Sequence, residues 1–235
     1  MRAKLLLIAA IALSLTALAG AQPPVGLEGA LEDPQAEPST RVAWTVETRR
    51  LVRGGDAQRG ERLAQDCASC HGATGVSPSP NFPSLAGQLP EYTFKQLHDY
   101  HLGNRVHPIM TALTEVMEIQ DMADMAMWYA AQPLPPPQTA EPPDDIALQL
   151  VRRGDAARFI PACAVCHGPQ GQGRAVDKAA LAGQPELYFR TTMRAYRDET
   201  RANDLYGVMR VIASELTDEE IDALARYYAG LGTEP

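Results

Sequence analysis

The sequence predicts an all-α protein made of two small helical domains in tandem. Three observations support this prediction: the chain contains an internal repeat, its apolar residues recur with helical spacing, and a proline-rich stretch separates the two copies. No stretch shows the sustained alternation of apolar and polar residues that indicates a β-strand.

The repeat consists of the same short motifs in the same order. Gly-Asp-Ala, Cys-Ala-x-Cys-His-Gly, Leu-Ala-Gly-Gln and a tyrosine occur in both copies. From the first cysteine of each motif to the tyrosine, equivalent residues lie 96 positions apart, and further along Met110 and Met209 lie 99 apart. Self-similarity at a fixed spacing indicates a duplicated structural unit.

Each copy is expected to end in an amphipathic helix. Met122, Met125, Ala126 and Tyr129 follow the i, i+3, i+4, i+7 pattern of one helix face, and the second copy repeats it. In that second copy, Thr217 with Glu220 predicts a capping box at the start of the helix, and Gly230 and Gly232 its end. Further helices are predicted at 44–52, 58–66, 90–102 and 185–200.

Composition divides the chain into five segments. Six prolines between Gln132 and Asp145 exclude a helix interior or a central strand and predict a semi-rigid linker. The expected division is a signal peptide at 1–21, a Pro/Glu-rich extension at 22–50, a first domain at 51–132, a linker at 133–147 and a second domain at 148–235.

The N-terminus has the pattern of a secretory signal. Arg2 and Lys4 precede the apolar run from Leu5 to Leu18, and small residues favour cleavage after Ala19 or Ala21. The run is shorter than the ~20 residues of a spanning helix, so a retained anchor is the less favoured alternative. We therefore expect a periplasmic protein in an oxidising compartment, whose membrane association is peripheral if it occurs.

The charge of the chain is acidic. The formal net charge is −8, and loss of the two cations in residues 1–21 leaves −10 on a mature chain. This charge argues against nucleic acid as a partner and favours a basic patch on a partner protein, with simple solubility as the alternative.

All four cysteines lie in two Cys-x-x-Cys-His motifs. Two thiols at this spacing can each add to one vinyl group of a haem, and the following histidine then ligates the iron. The sequence thus predicts two covalently bound haem c groups, with thioethers at Cys67, Cys70, Cys163 and Cys166 and proximal ligands at His71 and His167.

Three alternatives fit the cysteine motifs less well. A single zinc site would ignore both histidines and the separation of the copies. A thioredoxin-like redox site requires a βαβ pattern, which the sequence lacks. Structural disulfides are feasible in an exported protein but leave the histidines unexplained.

Methionine is the expected sixth ligand in each copy, because its soft sulfur suits an electron-transfer iron. Met209 is expected in an irregular segment before the last helix, and Met110 is its equivalent. Several other residues compete in the first copy. Met117 follows Met110, the helix methionines are expected to be core residues, and three histidines are also available: His98, His101 and His107.

Two equivalent arginines are candidates for binding haem propionates. Arg105 and Arg201 each follow the middle helix, and arginine binds carboxylates bidentately; ordinary surface arginines are the alternative. Arg201 also ends a stripe with Arg190, Arg194 and Arg197, which is interpreted either as a solvated helix face or as a docking site for an acidic partner.

These motifs together resemble the di-haem class I cytochromes c of the cytochrome c4 type. The resemblance rests on the two Cys-Ala-x-Cys-His-Gly motifs, the two Leu-Ala-Gly-Gln segments, the Asn-Phe-Pro element at 81–83 and the two methionines. It covers about residues 54–132 and 151–231 and implies two tandem cytochrome c domains with His–Met haems. The second copy departs from it, with Asp177-Lys178-Ala179 in place of the Asn-Phe-Pro element.

The resemblance implies an electron carrier and not an enzyme. Family members pass single electrons between periplasmic or membrane redox partners, and a haem-copper terminal oxidase is one such partner. The alternative is the haem subunit of a redox enzyme, either sulfide dehydrogenase-like or di-haem peroxidase-like. Two methionine ligands argue against that alternative, because a catalytic haem requires an open position.

Overall fold

The first copy contains six α-helices in the residues that the computed structural model describes, which are 39–139, 142–174 and 176–233. They are α1 Val46–Arg53, α2 Ala57–Ala64, α3 Ala68–His71, α4 Pro90–His101, α5 Pro108–Glu115 and α6 Ile119–Ala130. The predicted signal peptide and the extension up to residue 38 lie outside the described residues.

The second copy repeats this order with one replacement. Its helices are α7 Asp145–Arg152, α8 Cys163–His167, α9 Glu186–Arg197, α10 Val208–Ser214 and α11 Asp218–Ala229. A 3₁₀ turn at Ala156–Arg158 stands where the first copy has α2. Only two isolated β-bridges and no strand occur in the described part of the chain, which agrees with the predicted all-α class.

Local sequence explains where the helices begin. The carboxylate of Asp56 accepts from Gln58 N–H and starts α2, and Pro90 occupies the first turn of α4, where its missing N–H costs nothing. The predicted capping box of Thr217 and Glu220 is present at the start of α11, which ends before Gly230. Sequence-based boundaries of the other helices differ from these by a few residues.

Each copy is organised around its last helix. In the first copy α6 packs against α1, α2 and α4, and buries Met122, Met125, Ala126 and Tyr129, the stripe that the periodicity predicts. In the second copy α11 packs against α7 and α9 and buries the equivalent residues. The two cores are thus built from the same face of the same helix.

The proline-rich linker is fixed against the second copy. Gln138 donates its backbone N–H to Ala229 O at 2.8 Å and its side-chain Nε2 to Gly183 O at 2.7 Å. Pro135 is fully buried, and Thr233 Oγ1 donates to Leu134 O at 2.6 Å. The described residues all belong to one compact unit, in which the two copies pack against each other. None of the described helices is long and apolar enough to cross a bilayer.

Candidate haem sites

The Cys-x-x-Cys-His motifs form short helical turns that end at a glycine. α3 and α8 both stop at their histidine, and the next residues, Gly72 and Gly168, have φ of 82° and 83°. A Cβ at Gly72 would collide with Val76 O, and one at Gly168 with the side chain of Gln172. The glycine after each histidine is therefore required by the backbone.

Both motif histidines form hydrogen bonds that leave Nε2 available to a metal. His71 Nδ1 lies 2.9 Å from Pro83 O, and His167 Nδ1 lies 2.8 Å from Ala179 O. A carbonyl oxygen only accepts, so each Nδ1 carries the proton and each Nε2 keeps its lone pair. Burial lowers the pKa of both imidazoles, and this outweighs the hydrogen bond to the carbonyl. Neutral imidazole with a free Nε2 is the form that binds iron.

The two candidate methionines face the same cores as the first cysteine of each motif. Met110 and Cys67 both pack against the core of the first copy, and Met209 and Cys163 against that of the second. One expectation is wrong: Met209 lies in the first turn of α10, not in an irregular segment, and Met110 lies likewise in α5. A short helix of seven or eight residues was too weak a signal to detect by periodicity.

The three spare histidines of the first copy have other contacts. His107 caps α5, with Nδ1 accepting from Met110 N–H at 3.4 Å. His101 Nδ1 lies 2.7 Å from Thr114 O, and the ring of His98 stacks on Phe94 with centroids 5.8 Å apart. His107 therefore has a capping role in α5, while His98 and His101 take part in packing and hydrogen-bonding contacts within the first copy.

Twin tyrosine hydroxyls inside the cores lie close enough to the first cysteine of each motif to interact with its thiol. They belong to Tyr129 and Tyr228, which are equivalent residues of α6 and α11 and are almost fully buried. Burial raises the pKa of both hydroxyls and of the nearby Cys67 and Cys163 thiols, that of Cys163 to about 11. Each core thus buries a tyrosine hydroxyl beside the first cysteine of its Cys-x-x-Cys-His motif.

The zinc and disulfide alternatives find no support in the described part of the chain. No group of three or more potential metal ligands comes together there, and the four cysteines are not bonded to one another.

Arg105 and Arg201 lie where the two copies meet. Arg105 donates to Tyr188 Oη of the second copy at 3.3 Å, and Arg201 donates to Tyr92 Oη of the first at 3.1 Å. Both guanidinium groups also donate to the single oxygen Gln96 Oε1, at 2.8 and 3.0 Å. These arginines are therefore not ordinary surface residues.

A second pair of reciprocal contacts joins the copies. Gln88 bonds the backbone of Ala180 through both its Oε1 (2.7 Å) and its Nε2 (3.0 Å). Gln184 bonds the backbone of Ser84 in the same way, at 3.2 and 2.8 Å. We call these two glutamines, with the Arg–Tyr pairs, the domain seam. In the sequence, the residues of the domain seam are marked by the constant 96-residue spacing of Leu-Ala-Gly-Gln and the tyrosine. This spacing indicates a repeat, but it does not predict that these residues form an interface.

The domain seam carries an excess of positive charge. Lys95 joins it through a bond of 2.6 Å to Asp99 and one of 2.5 Å to Asn203 O. Three cations, Lys95, Arg105 and Arg201, thus lie in this region, while two carboxylates, Asp99 and Asp177, act on Lys95. Burial raises the pKa of Tyr188, but the two guanidinium groups lower it by more, to about 8. Buried cations in excess require anions, and haem propionates have that charge.

The arginine stripe of α9 is already neutralised. Arg190 pairs with Glu186, while Arg194 and Arg197 both pair with Asp218 at the start of α11. Docking of an acidic partner on this face is therefore disfavoured, and the interpretation as a solvated helix face fits better.

Comparison with known proteins agrees with the geometry of these sites. Residues 57–132 and 154–231 each match the family model described as cytochrome c. The chain therefore belongs to the cytochrome c family. It is a di-haem protein of the cytochrome c4 type, with two covalently bound haem c groups, and its activity is electron transfer.

The similarity to individual proteins extends over both domains. Cytochrome c4 of Pseudomonas aeruginosa is 40% identical over 182 residues, which cover 75% of this chain and 89% of that protein. The thiosulfate dehydrogenase electron acceptor of Stutzerimonas stutzeri is 36% identical, with 72% and 80% covered. The crystal structure of reduced cytochrome c4 from Pseudomonas stutzeri superposes with a TM-score of 0.68 at 33% identity, covering 75% of this chain and 99% of that one.

Proposed function

We propose that this chain is a periplasmic carrier that passes single electrons between redox proteins through two haems with closed coordination. One observation carries the proposal: in each copy a cysteine and a methionine at equivalent positions pack against one core, beside a histidine whose Nδ1 is bonded to a backbone carbonyl. When bound, each haem c supplies an iron that accepts and releases one electron.

The roles of the site residues follow from their surroundings. Cys67 and Cys70, and equally Cys163 and Cys166, form the thioethers that hold a haem. His71 and His167 are the proximal ligands, oriented by their hydrogen bonds to Pro83 O and Ala179 O. Met110 and Met209 are the sixth ligands. Helices hold both ligand residues of each copy, which would limit the movement of these side chains around a bound haem.

Arg105 and Arg201 bind propionates in this proposal. Its support is the excess of buried positive charge at the domain seam, which haem carboxylates would balance. A tyrosine of the opposite copy accepts from each guanidinium group, and Gln96 of the first copy accepts from both.

The location and the partners are proposed from the sequence. The signal-like N-terminus supports export to the periplasm, and the acidic charge supports a partner with a basic surface, with a membrane-bound terminal oxidase as one candidate acceptor. We propose the domain limits 51–132 and 148–235, with 133–147 as the linker. The helices α1 and α7 begin before these limits, at Val46 and Asp145, and pack on the same two domains.

Replacement of the sixth ligands tests the proposal. Met110→Ala should abolish the sulfur-to-iron charge-transfer absorption of one haem and lower its reduction potential, because the soft ligand that raises the potential is lost. Met209→Ala should do the same to the other haem. The control is His107→Ala, which should leave both spectra unchanged. If His107→Ala removes a ligand signature and Met110→Ala does not, the ligand assignment in the first copy is wrong.

A second candidate function is that of a subunit serving a thiosulfate-oxidising enzyme. It is favoured by relatives named thiosulfate dehydrogenase electron acceptor and by a thiosulfate dehydrogenase structure from Marichromatium purpuratum, 32% identical with a TM-score of 0.67. This chain matches 40% of that longer chain.

Carbon monoxide and electron-acceptor assays separate the candidates. A carrier with two closed haems should bind carbon monoxide slowly or not at all, and it should show no peroxide turnover. Reduction by a thiosulfate dehydrogenase, but not by thiosulfate alone, would identify the chain as that enzyme's acceptor. Rapid carbon monoxide binding with sustained peroxide consumption would contradict the carrier function.

A further inference from the structure

The helix that holds Met110 has an apolar stripe that the fold does not cover. Ile109, Leu113 and Val116 recur at i, i+4 and i+7 along α5 and its C-cap, and are 50%, 48% and 85% exposed. Val106, just before the helix, is 77% exposed. Met110 and Thr114 lie on the neighbouring, inward-facing side of the same helix. We call these four apolar residues the α5 surface.

Two acidic residues lie beside the α5 surface. Glu115 and Glu118 stand on either side of Val116, are exposed, and form no ion pair with any described residue. The next carboxylates along the chain, Asp121 and Asp124, are paired with Arg59. A partner surface with apolar residues at its centre and basic residues around them would complement the apolar α5 surface and its acidic neighbours.

The equivalent surface of the second copy lacks this composition. The residues that correspond to Ile109, Leu113 and Val116 are Val208, Ile212 and Glu215. Ile212 packs partly against the core, and the carboxylate of Glu215 interrupts the stripe. Arg210 lies on the same helix and is bonded to Asp204. The second copy therefore offers some exposed apolar side chains, but not an unbroken apolar stripe.

We propose that the α5 surface is the site where a basic redox protein docks, so that this partner exchanges electrons with the first haem domain and not with the second. The inference rests on the proposed carrier function and specifies which domain faces that partner. Docking there brings the partner next to the helix that carries Met110. The negative charge attracts the partner, and the apolar residues supply contact area once water has left.

Matched substitutions in the two domains test the assignment in the haem-loaded full chain. Leu113→Lys/Val116→Lys places two cations on the α5 surface, and Val208→Lys/Val211→Lys places two at the corresponding helix of the second domain. The probe is mitochondrial cytochrome c, a basic redox protein, and the readout is the second-order electron-exchange rate at several ionic strengths. We expect the first pair to slow the reaction by about tenfold at low salt and to weaken its salt dependence, and the second pair to change it by less than about twofold.

Voltammetry distinguishes the possible failures. Unchanged potentials of both haems in each variant show that the ligands are intact, and if the native protein exchanges no electrons at the electrode, the carrier function itself fails. Equal slowing by both pairs, a larger effect of the second pair, or no effect of the first overturns the docking site. Val116→Lys alone serves as the second variant, since its mostly exposed side chain can be changed without disturbing the core. It should slow the reaction in the same direction.

Discussion

The two domains share the contacts that join them and differ in what lies behind those contacts. Gln88 and Gln184, like Arg105 and Arg201, make equivalent bonds in opposite directions across the domain seam. Behind these contacts, the first domain has the buried pair Lys95–Asp99 in α4, whereas the equivalent positions in α9 are Thr191 and Ala195.

The unshared pair connects three parts of the chain. Asp99 accepts from Lys95 and from Asn203 of the second domain, at 2.6 and 2.7 Å. Its other oxygen accepts from Thr40, in the segment before α1, at 2.5 Å. Trp44 in the same segment packs near Phe94, with ring centroids 6.5 Å apart. Duplication explains the shared contacts, while this asymmetric network fastens the end of the N-terminal extension to both domains.

Asp99→Asn should have the largest effect, because it removes the carboxylate bonded to the buried Lys95 ammonium and leaves only the weaker influence of Asp177. We expect the free energy of unfolding to fall by about 3–5 kcal/mol in urea denaturation of the haem-loaded protein. Burial lowers the pKa of Lys95, and loss of Asp99, which raises it, lowers it further. The defect should therefore shrink as the pH rises and the lysine becomes neutral.

A double variant separates charge from shape at this site. Lys95→Met/Asp99→Asn removes the unpaired charge at similar volume, as the uncharged positions 191 and 195 of the second domain do naturally. It should recover at least half of the lost stability. Equal losses in the single and double variants would show that Asp99 acts through its hydrogen bonds to Thr40 and Asn203 and not through its charge.

The shared glutamines should give intermediate and equal effects. Gln88→Ala leaves the buried N–H of Ala180 without an acceptor, and Gln184→Ala does the same to Ser84. Each should cost about 1–3 kcal/mol and speed amide exchange at the orphaned N–H, measured by thermal unfolding and hydrogen exchange.

Gln132→Ala is the matched control for the glutamine variants, because the half-buried side chain of Gln132 bonds Trp128 O within its own domain and does not reach the other domain. We expect it to change stability by less than about 0.5 kcal/mol. If Gln88→Ala and Gln184→Ala lower the stability by different amounts, the two geometrically equivalent contacts contribute unequally to the domain seam.

Sequence periodicity was sufficient for the architecture and insufficient for the domain seam. The stripe of Met122 to Tyr129 predicted α6 because a core-facing helix face depends only on residues close in sequence. The Cys-x-x-Cys-His motif gave both haem sites for the same reason. The partners of Arg201 in the first domain, by contrast, are Tyr92 and Gln96, more than a hundred residues away. No local pattern reports such a contact.

Two features were missed for more specific reasons. The helices α5 and α10 are short. In α5, Ile109 and Leu113 are exposed, so the apolar residues of this helix do not form a core-facing pattern. The prolines predicted a linker at 133–147, within which α7 begins at Asp145, and proline content alone does not tell whether such a segment spans a gap or packs on a surface. Pro135 is buried, which shows that this part of the linker packs on a surface, and the sequence does not predict that burial.

The smallest expected effect concerns an acidic residue of α6 that the second domain lacks. In the first domain, Arg59 forms ion pairs with Asp121 and Asp124. In the second domain, Arg158 forms an ion pair with Glu220, which is the residue equivalent to Asp121. The position equivalent to Asp124 is Ala223. Burial raises the pKa of Asp124, but hydrogen bonds from Arg59, Gln120 and the N–H of Asp56 lower it by more.

A carboxyl whose pKa is lowered by folding stabilises the protein above its unfolded pKa of about 4, and this contribution is lost as the pH falls through the lower folded value. Asp124→Asn should therefore cost about 1 kcal/mol at pH 7 and progressively less below pH ~4, as measured by urea denaturation at each pH. Glu220→Gln should behave likewise, since hydrogen bonding to Arg158 lowers the pKa of Glu220. If the cost of Asp124→Asn stays constant down to pH ~3, the effect comes from packing around α2 and α6. A contribution from the ionised carboxylate would decrease as the carboxylate is protonated.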